Sequence, residues 1–289
     1  MSQSDSIQIT QVAVIGAGTM GHGIAHVAAS SGWQVNLFDV DEEALEQARQ
    51  KVEQNLDKGV AKGKVTEDKR KLTLNNLKTT TDLATAVARA QLVIEAAPER
   101  VDLKRQIFTE VSSYASEEAI LSTNTSSLSI TEIAAVCHRP ERFIGMHFFN
   151  PPHIVKFLEI IRAEQTSDEV VAAARQAGEA MGREMIVVSD SPGFATSRLG
   201  LALGLEAVRM LQEGVGSVED IDRAMELGYR HPMGPLKLTD LVGLDVRLAI
   251  AEYLHRELGG EQFRPPHLLR KMVRAGKLGK KSGQGFYRW

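Results

Sequence analysis

Cysteine is almost missing from this 289-residue chain: Cys137 stands alone. No intrachain disulfide can form, which fits a reducing compartment. Long apolar runs are missing too. None approaches the roughly 20 residues needed to cross a bilayer, so no membrane span is expected. Residues 1–10, MSQSDSIQIT, have neither a basic start nor an apolar stretch, and no secretory signal is read there. Charge of one sign is not in excess, with 34 Lys and Arg against 37 Asp and Glu and a net charge of -3. That balance leaves no electrostatic footprint for nucleic acid. The expectation is a soluble cytoplasmic protein with neither nucleic acid nor membrane as a partner.

What the chain has is length enough for two domains and a substantial core. Its N-terminal part alternates strand-like and helix-like segments. Val12–Ile15 is a short apolar run that stops at glycine, Gly21–Ser30 a small-residue helix, and Val35–Asp39 a second run ending in a carboxylate. Leu92–Ala96, Ala119–Ser122, Phe143–His147 and Phe157–Ile161 also read as strands. Strands separated by helices imply a parallel, doubly wound α/β sheet. Capping boxes are expected at Ser129 with Glu132 and at Thr166 with Glu169. Asp41 to about Thr79 is too long for a simple crossover and reads as an inserted helical hairpin, Glu42–Leu56 and Thr66–Leu74. It carries Lys58, Lys62, Lys64, Lys69, Arg70 and Lys71.

Ser189-Asp190-Ser191-Pro192-Gly193 reads as a linker. Beyond it come a helix over Phe194–Glu213, a helix start at Ser217 and Asp220, and a helix over Leu241–Leu258, with no convincing strand until the extreme C-terminus. The expected division is an α/β domain over 1–188 and an all-helical domain over 189–289.

Gly16, Gly18 and Gly21 form a G-x-G-x-x-G motif between a predicted strand and a predicted helix, the setting its chemistry requires. Gly16 suits a tight turn, Gly18 a close approach of backbone to phosphate, and Gly21 close packing of helix on strand. The helix N-terminus then offers N–H groups to a pyrophosphate, across Gly16, Ala17, Gly18, Thr19, Met20 and Gly21. Asp39, about 20 residues on, is placed to bond ribose hydroxyls and to repel a 2′-phosphate. The unit is read as Rossmann-like, with NAD as its cofactor.

His147 ends a predicted strand ahead of Phe148-Phe149-Asn150-Pro151-Pro152. Ligands of open α/β sheets sit beyond the carboxyl ends of strands. A histidine there can take a hydroxyl proton near neutral pH while hydride leaves the same carbon. The two prolines suggest a rigid, extended exit. Glu159, between Leu158 and Ile160, needs a partner in so apolar a run, and His147 is the obvious one. The competing readings are a structural histidine and the polar side of an edge strand. Among the hydroxyls of Ser122-Thr123-Asn124-Thr125-Ser126-Ser127, residue chemistry alone selects none. His22 and His26 read as packing or surface residues. His138, His153, His231, His255 and His267 have no metal-ligand spacing, and no metal site is expected.

The sequence resembles the short-chain L-3-hydroxyacyl-CoA dehydrogenase family, and within it the bacterial 3-hydroxybutyryl-CoA dehydrogenases. The resemblance covers nearly the whole chain. It runs through VAVIGAGTMGHGIA (Val12–Ala25), IEAAPERVDLK (Ile94–Lys104), STNTSSLSI (Ser122–Ile130), GMHFFNPP (Gly145–Pro152), DSPGF (Asp190–Phe194), HPMGPLKLTDLVGLD (His231–Asp245) and GKKSGQGFY (Gly279–Tyr287). It implies His147 as catalytic base, Glu159 as its dyad partner and Ser126 as a contact to substrate and cofactor. It implies Glu99, Lys104, Asn150 and Lys281 as further cofactor contacts, and Lys62 and Asn55 as contacts to coenzyme A. Asn55 stands where some relatives carry serine. Ser197 stands where many relatives place an active-site asparagine, and a hydroxyl cannot match the two-ended hydrogen bonding of an amide. The helical domain resembles one that dimerises and closes over substrate.

The expected reaction is NAD-dependent, reversible oxidation of an (S)-3-hydroxyacyl-CoA to the 3-oxoacyl-CoA. Alternatives are a 3-hydroxyadipyl-CoA dehydrogenase, an oxidoreductase of sugar acids or free hydroxy acids, and a non-catalytic NAD-binding relative such as a lens crystallin.

Overall fold

A computed structural model describes residues 8–289. The first seven residues, part of the stretch read above for a leader, lie outside them. The chain divides into two compact units, one up to Asp190 and one from Ser191 to Trp289.

The first unit opens with β1 (Gln11–Ile15), α1 (Gly21–Ser30) and β2 (Gln34–Phe38). β1 is buried from Val12 onward, as a central parallel strand with both faces covered must be. The hairpin follows as α2 (Glu42–Ala61) and α3 (Glu67–Asn76), each longer than the sequence suggested. Asp41 caps α2 by accepting from the Glu43 N–H, and Thr66 caps α3 by accepting from Lys69 N–H. Leu45, Ala48, Val52 and Leu56 form the buried stripe of α2. Next come β3 (Leu77–Thr80), α4 (Leu83–Val87), β4 (Leu92–Glu95), α5 (Val101–Tyr114), β5 (Ile120–Thr123) and α6 (Ile130–Ala134). β6 (Phe143–Phe148), β7 (Phe157–Arg162), α7 (Asp168–Ala180) and β8 (Glu184–Ser189) complete the unit.

The eight strands form one sheet in the order β3-β2-β1-β4-β5-β6-β7-β8. It is a doubly wound sheet with one departure from the expected parallel pattern: β7 runs antiparallel to β6. The reason is the connection. No helix separates the two strands, and a short turn returns the chain beside itself rather than crossing over. Pro151 lies within that turn, where its carbonyl accepts from the Ile154 and Val155 N–H groups. The extended exit expected from the two prolines is therefore not what forms. A second departure is local. Thr166 does not cap α7; Ser167 does, accepting from Val170 N–H, while the Thr166 hydroxyl donates to the Phe143 carbonyl. Ser129 caps α6 through Glu132 N–H, as expected.

The second unit is helical: α8 (Thr196–Gln212), α9 (Val218–Gly228), α10 (Pro235–Val242), α11 (Leu244–Leu258) and α12 (His267–Arg274). Its core gathers Leu201, Leu205, Val208, Leu236, Leu254 and Phe263. The single helix expected over Leu241–Leu258 is broken at Gly243, whose φ of +104° no helix accommodates. Asp240 anchors the chain's last residues by accepting from Phe286 N–H, Tyr287 N–H and Trp289 Nε1–H. The C-terminal strand reduces to isolated bridges at Gln284.

Candidate active site

The glycine loop leaves β1 and enters α1. Gly16 has φ +99°, and a Cβ there would stand 2.9 Å from the Ala96 carbonyl oxygen. Gly21 is tighter still: a Cβ would fall 1.7 Å from the Gly16 carbonyl oxygen. The close approach at Gly21 is thus to the loop, not to the strand as the motif alone suggested. Gly18 differs, with open space within 4 Å of an added Cβ. That space lies on a cavity of about 810 Å³ lined by Gly16, Gly18, Thr19, Met20, Asp39 and Ala97, among others. No side chain caps the N-terminus of α1, the end of a helix that favours an anion, although His22 N–H donates to the Gly18 carbonyl at 3.2 Å. Asp39 Oδ2 accepts from Ala17 N–H at 2.7 Å and Oδ1 from Asp41 N–H at 3.2 Å. Two anti-clash glycines, an open third position and a carboxylate at the cavity wall fit a dinucleotide.

β4 and β5 build the next wall. Glu95 is fully buried and accepts from Lys104 Nζ at 2.7 Å and from the Thr123 hydroxyl at 2.5 Å. Lys104 is itself 1% exposed and also donates to the Ala97 carbonyl. It lies 3.7 Å from Glu99 Oε2 and does not line the cavity. Glu99 Oε1 accepts from the Thr125 hydroxyl and from Ser126 N–H, at 2.6 and 2.8 Å. These bonds commit three of the hydroxyls that residue types left open. Ser122 donates to the Val93 carbonyl, and Thr123 and Thr125 to the two glutamates. Ser126 enters the network through its backbone, leaving its hydroxyl out of these bonds. Asn124 escaped the sequence reading. Its Oδ1 accepts from Phe148 N–H at 2.7 Å and so ties the end of β5 to the end of β6.

His147 and Glu159 meet through strand register. They are direct partners across the antiparallel β6–β7 pair, and such partners share a face. His147 Nδ1–H donates to Glu159 Oε2 at 3.1 Å. Glu159 is 0% exposed and His147 6% exposed. Phe149 packs against the imidazole, ring centroids 4.5 Å apart. Asn150 is exposed just past the strand.

A second cavity, about 1060 Å³, opens beside the hairpin. Asn55, Lys58, Lys62, Lys64 and Lys69 line it, together with Arg183. Arg70 does not: it is held by Asp57 and Glu53 at 2.6 and 2.7 Å. The same cavity is lined by His26 and His153, a pairing that sequence spacing hid. Their rings stack 5.3 Å apart at 18°. Burial, with the neighbouring His153 and His22, holds the His26 pKa down at about 4. His22 and His153 are lowered too, chiefly by burial. Among the described residues no cluster of three metal-ligating side chains occurs.

Ser197 and Lys281 belong to the second unit. Ser197 is the second residue of α8. Lys281 Nζ pairs with Asp245 at 2.6 Å.

A Rossmann-like sheet, a glycine loop built for a dinucleotide and a buried His–Glu pair near the end of another strand of that sheet define a nicotinamide-dependent dehydrogenase. The chain belongs to the 3-hydroxyacyl-CoA dehydrogenase family. Residues 11–191 match the model of the 3-hydroxyacyl-CoA dehydrogenase NAD binding domain, and residues 193–289 that of its C-terminal domain. The chain is 44% identical over 279 residues to a 3-hydroxybutyryl-CoA dehydrogenase of Bradyrhizobium diazoefficiens, covering 96% of this chain and 95% of the other. It is 42% identical to a 3-hydroxyadipyl-CoA dehydrogenase of Escherichia coli, covering 98% of this chain and 60% of that protein. A solved structure of (S)-3-hydroxybutyryl-CoA dehydrogenase from Ralstonia eutropha matches with a TM-score of 0.94 at 41% identity, covering 98% of this chain and 99% of that one. NAD is the cofactor of the first unit, which matches the family's NAD-binding domain.

Proposed function

We propose that this chain interconverts (S)-3-hydroxybutyryl-CoA and its 3-oxo form, with His147 as the proton-transferring group. The observation that carries this reading is the buried His147–Glu159 pair, on the sheet that also holds the glycine loop. β1 and β6 stand three strand spacings apart, about 14 Å. A dinucleotide with its pyrophosphate at Gly18 has length enough to bridge that distance.

Glu159 fixes the tautomer of His147, because a carboxylate can only accept and Nδ1 must carry the hydrogen. Nε2 is then the nitrogen that takes the substrate hydroxyl proton. The Glu159 charge stabilises the imidazolium that forms. NAD, when bound, supplies the hydride acceptor. In the reverse direction the imidazolium of His147 returns its proton to the substrate oxygen. Ser126 orients that oxygen through its hydroxyl, on a loop held by Glu99. Lys104 acts one step back, through Glu95 and Glu99. Asp39 and the glycine loop, Gly16 to Gly21, hold the dinucleotide, with Asn150 and Lys281 as further contacts. Asn55 and Lys62 contact coenzyme A, whose phosphates suit a cavity lined by lysines. Ser197 sets a smaller, one-ended polar contact to substrate.

The second unit mediates a homodimer. Leu199, Leu227 and Tyr229 are 72%, 70% and 76% exposed there, and Leu241, Val242 and Val246 are each 40% exposed. Exposed apolar clusters of this kind mark interaction surfaces.

Steady-state rates over a panel of 3-oxoacyl-CoA thioesters, with 3-oxoadipyl-CoA included and NADH or NADPH as reductant, test the reading. Acetoacetyl-CoA with NADH should give the highest kcat/KM. A maximum at 3-oxoadipyl-CoA would move the substrate to the dicarboxylyl class. Equal rates with free acetoacetate would overturn the thioester altogether.

A further inference from the structure

The cavity beside the hairpin has two kinds of wall. One is cationic, with Lys58, Lys62, Lys64 and Lys69 from α2, α3 and their connection. The other is neutral and holds His26, Pro151, His153, Ile154 and Met181. Pro151, His153 and Ile154 of this wall belong to the turn that leaves β6, so they follow His147 closely in the chain. Three contacts hold it in place. A Cβ at Gly23 would stand 2.7 Å from the Pro152 ring, so α1 lies directly against the turn. Arg183 donates to the Pro152 and Val155 carbonyls at 2.8 and 2.9 Å. His26, one helical turn beyond Gly23, then stacks on His153.

Both imidazoles retain bonding capacity that the protein does not use. Both rings line the cavity, His26 93% buried and His153 half-buried, while Nδ1 of each, itself screened from solvent, has no hydrogen-bond partner in the structure. Buried polar atoms are normally satisfied, and exceptions point to function or to a missing ligand. Positive charge on the pair is disfavoured by burial first, then by the neighbouring His22 and, for His26, by His153 itself. The pair is therefore a neutral, polar, flat surface in the same cavity as a cationic rim, with His153 on the turn that follows His147 in the chain.

We infer that the His26–His153 pair is a specificity-determining surface for the amide-bearing pantetheine arm of the thioester. This inference rests on the acyl-CoA reading above. A coenzyme A thioester is anionic at its nucleotide end and carries two amides between that end and the sulfur. The lysine rim suits the phosphates. The imidazole pair suits the amides, since a neutral imidazole both donates and accepts. The thioester then emerges on the side of the turn that leads back to His147.

The test compares three acetoacetyl thioesters: of coenzyme A, of pantetheine and of N-acetylcysteamine, the last keeping only the amide nearest sulfur. His26→Leu with His153→Leu should raise KM for the coenzyme A and pantetheine esters about tenfold, the scale of one or two lost hydrogen bonds. KM for the N-acetylcysteamine ester should move much less, and kcat and NADH affinity should hold. His26→Gln should restore part of the loss, because an amide can replace the imidazole's bonds. Lys62→Glu should penalise the coenzyme A ester alone. His153→Val, at the less buried position, repeats the test if the double variant folds poorly. An unchanged KM for the pantetheine ester, or an equal penalty on all three esters, overturns the inference. Wild-type protein inactive on acetoacetyl-CoA would instead remove the acyl-CoA reading beneath it.

Discussion

A carboxylate with no exposed surface is costly unless it is paired and hydrogen-bonded. Glu159 meets that condition through His147, and Glu95 meets it through Lys104 and Thr123. The two pairs serve different ends. Glu159 acts on a histidine at a strand end; Glu95 fastens a lysine that steadies the Ser126 loop. His26 is the opposite case, a buried imidazole kept neutral. In the fold it holds a proton only below about pH 4, against an ordinary value of 6.5. Between those values the unfolded chain binds the extra proton and the folded chain does not. Stability should therefore fall as pH drops from 6.5 toward 4, by on the order of 3 kcal/mol from this residue. Denaturant unfolding at pH 7 and pH 4.5 checks this, and His26→Gln should lose much of the difference. An equal pH dependence in the variant would place the effect elsewhere. His147 and Glu159 were legible in the sequence because each sits in an apolar strand, where a polar residue demands a reason. His26 and His153 were not. They come from a helix and a turn far apart in the chain, and only the packing of Gly23 on Pro152 brings them together.

Elements were legible where one signal dominated. Helix starts at Thr66, Ser129 and Ser217 were each legible, and each side chain accepts a first-turn N–H. Legibility failed where two signals competed. Thr166 and Ser167 are both good caps, and Thr166 was drawn instead to the Phe143 carbonyl. β3 and β8 are harder to read: β3 has two exposed positions and one buried, and β8 holds the apolar run Met185-Ile186-Val187-Val188 but no fully buried position. The antiparallel turn into β7 is hidden in the sequence because two adjacent prolines favour extended backbone. That turn is what places Glu159 opposite His147. In the glycine loop, positions that look alike in the motif have different jobs. Gly18→Ala meets no protein atom within 4 Å, whereas Gly21→Ala drives a Cβ onto the Gly16 carbonyl. Gly18→Ala should keep the melting temperature within a few degrees and lose NADH affinity by tenfold or more. Gly21→Ala should lose both. Thermal melting with NADH fluorescence titration separates them. Equal melting losses would mean that Gly18 is a structural glycine as well.

At the scale of the molecule, the two family models together cover nearly the whole chain. Among the described residues no helix is long and apolar enough to cross a membrane. The dimer proposed above would cover Leu199, Leu227, Tyr229 and Leu241, which the helical unit exposes. Sedimentation equilibrium should give twice the chain mass, and Leu241→Asp should shift it toward one. A monomeric wild-type protein would contradict the dimer. The central claim concerns the first unit, where one imidazole performs the proton transfer. Turnover of acetoacetyl-CoA by His147→Gln, measured beside NADH binding to the same variant, tests it most directly. Turnover should fall by about 10²–10⁴-fold, the usual contribution of a general acid–base, with NADH still bound. Near-normal turnover would contradict the role given to His147 and with it the mechanism.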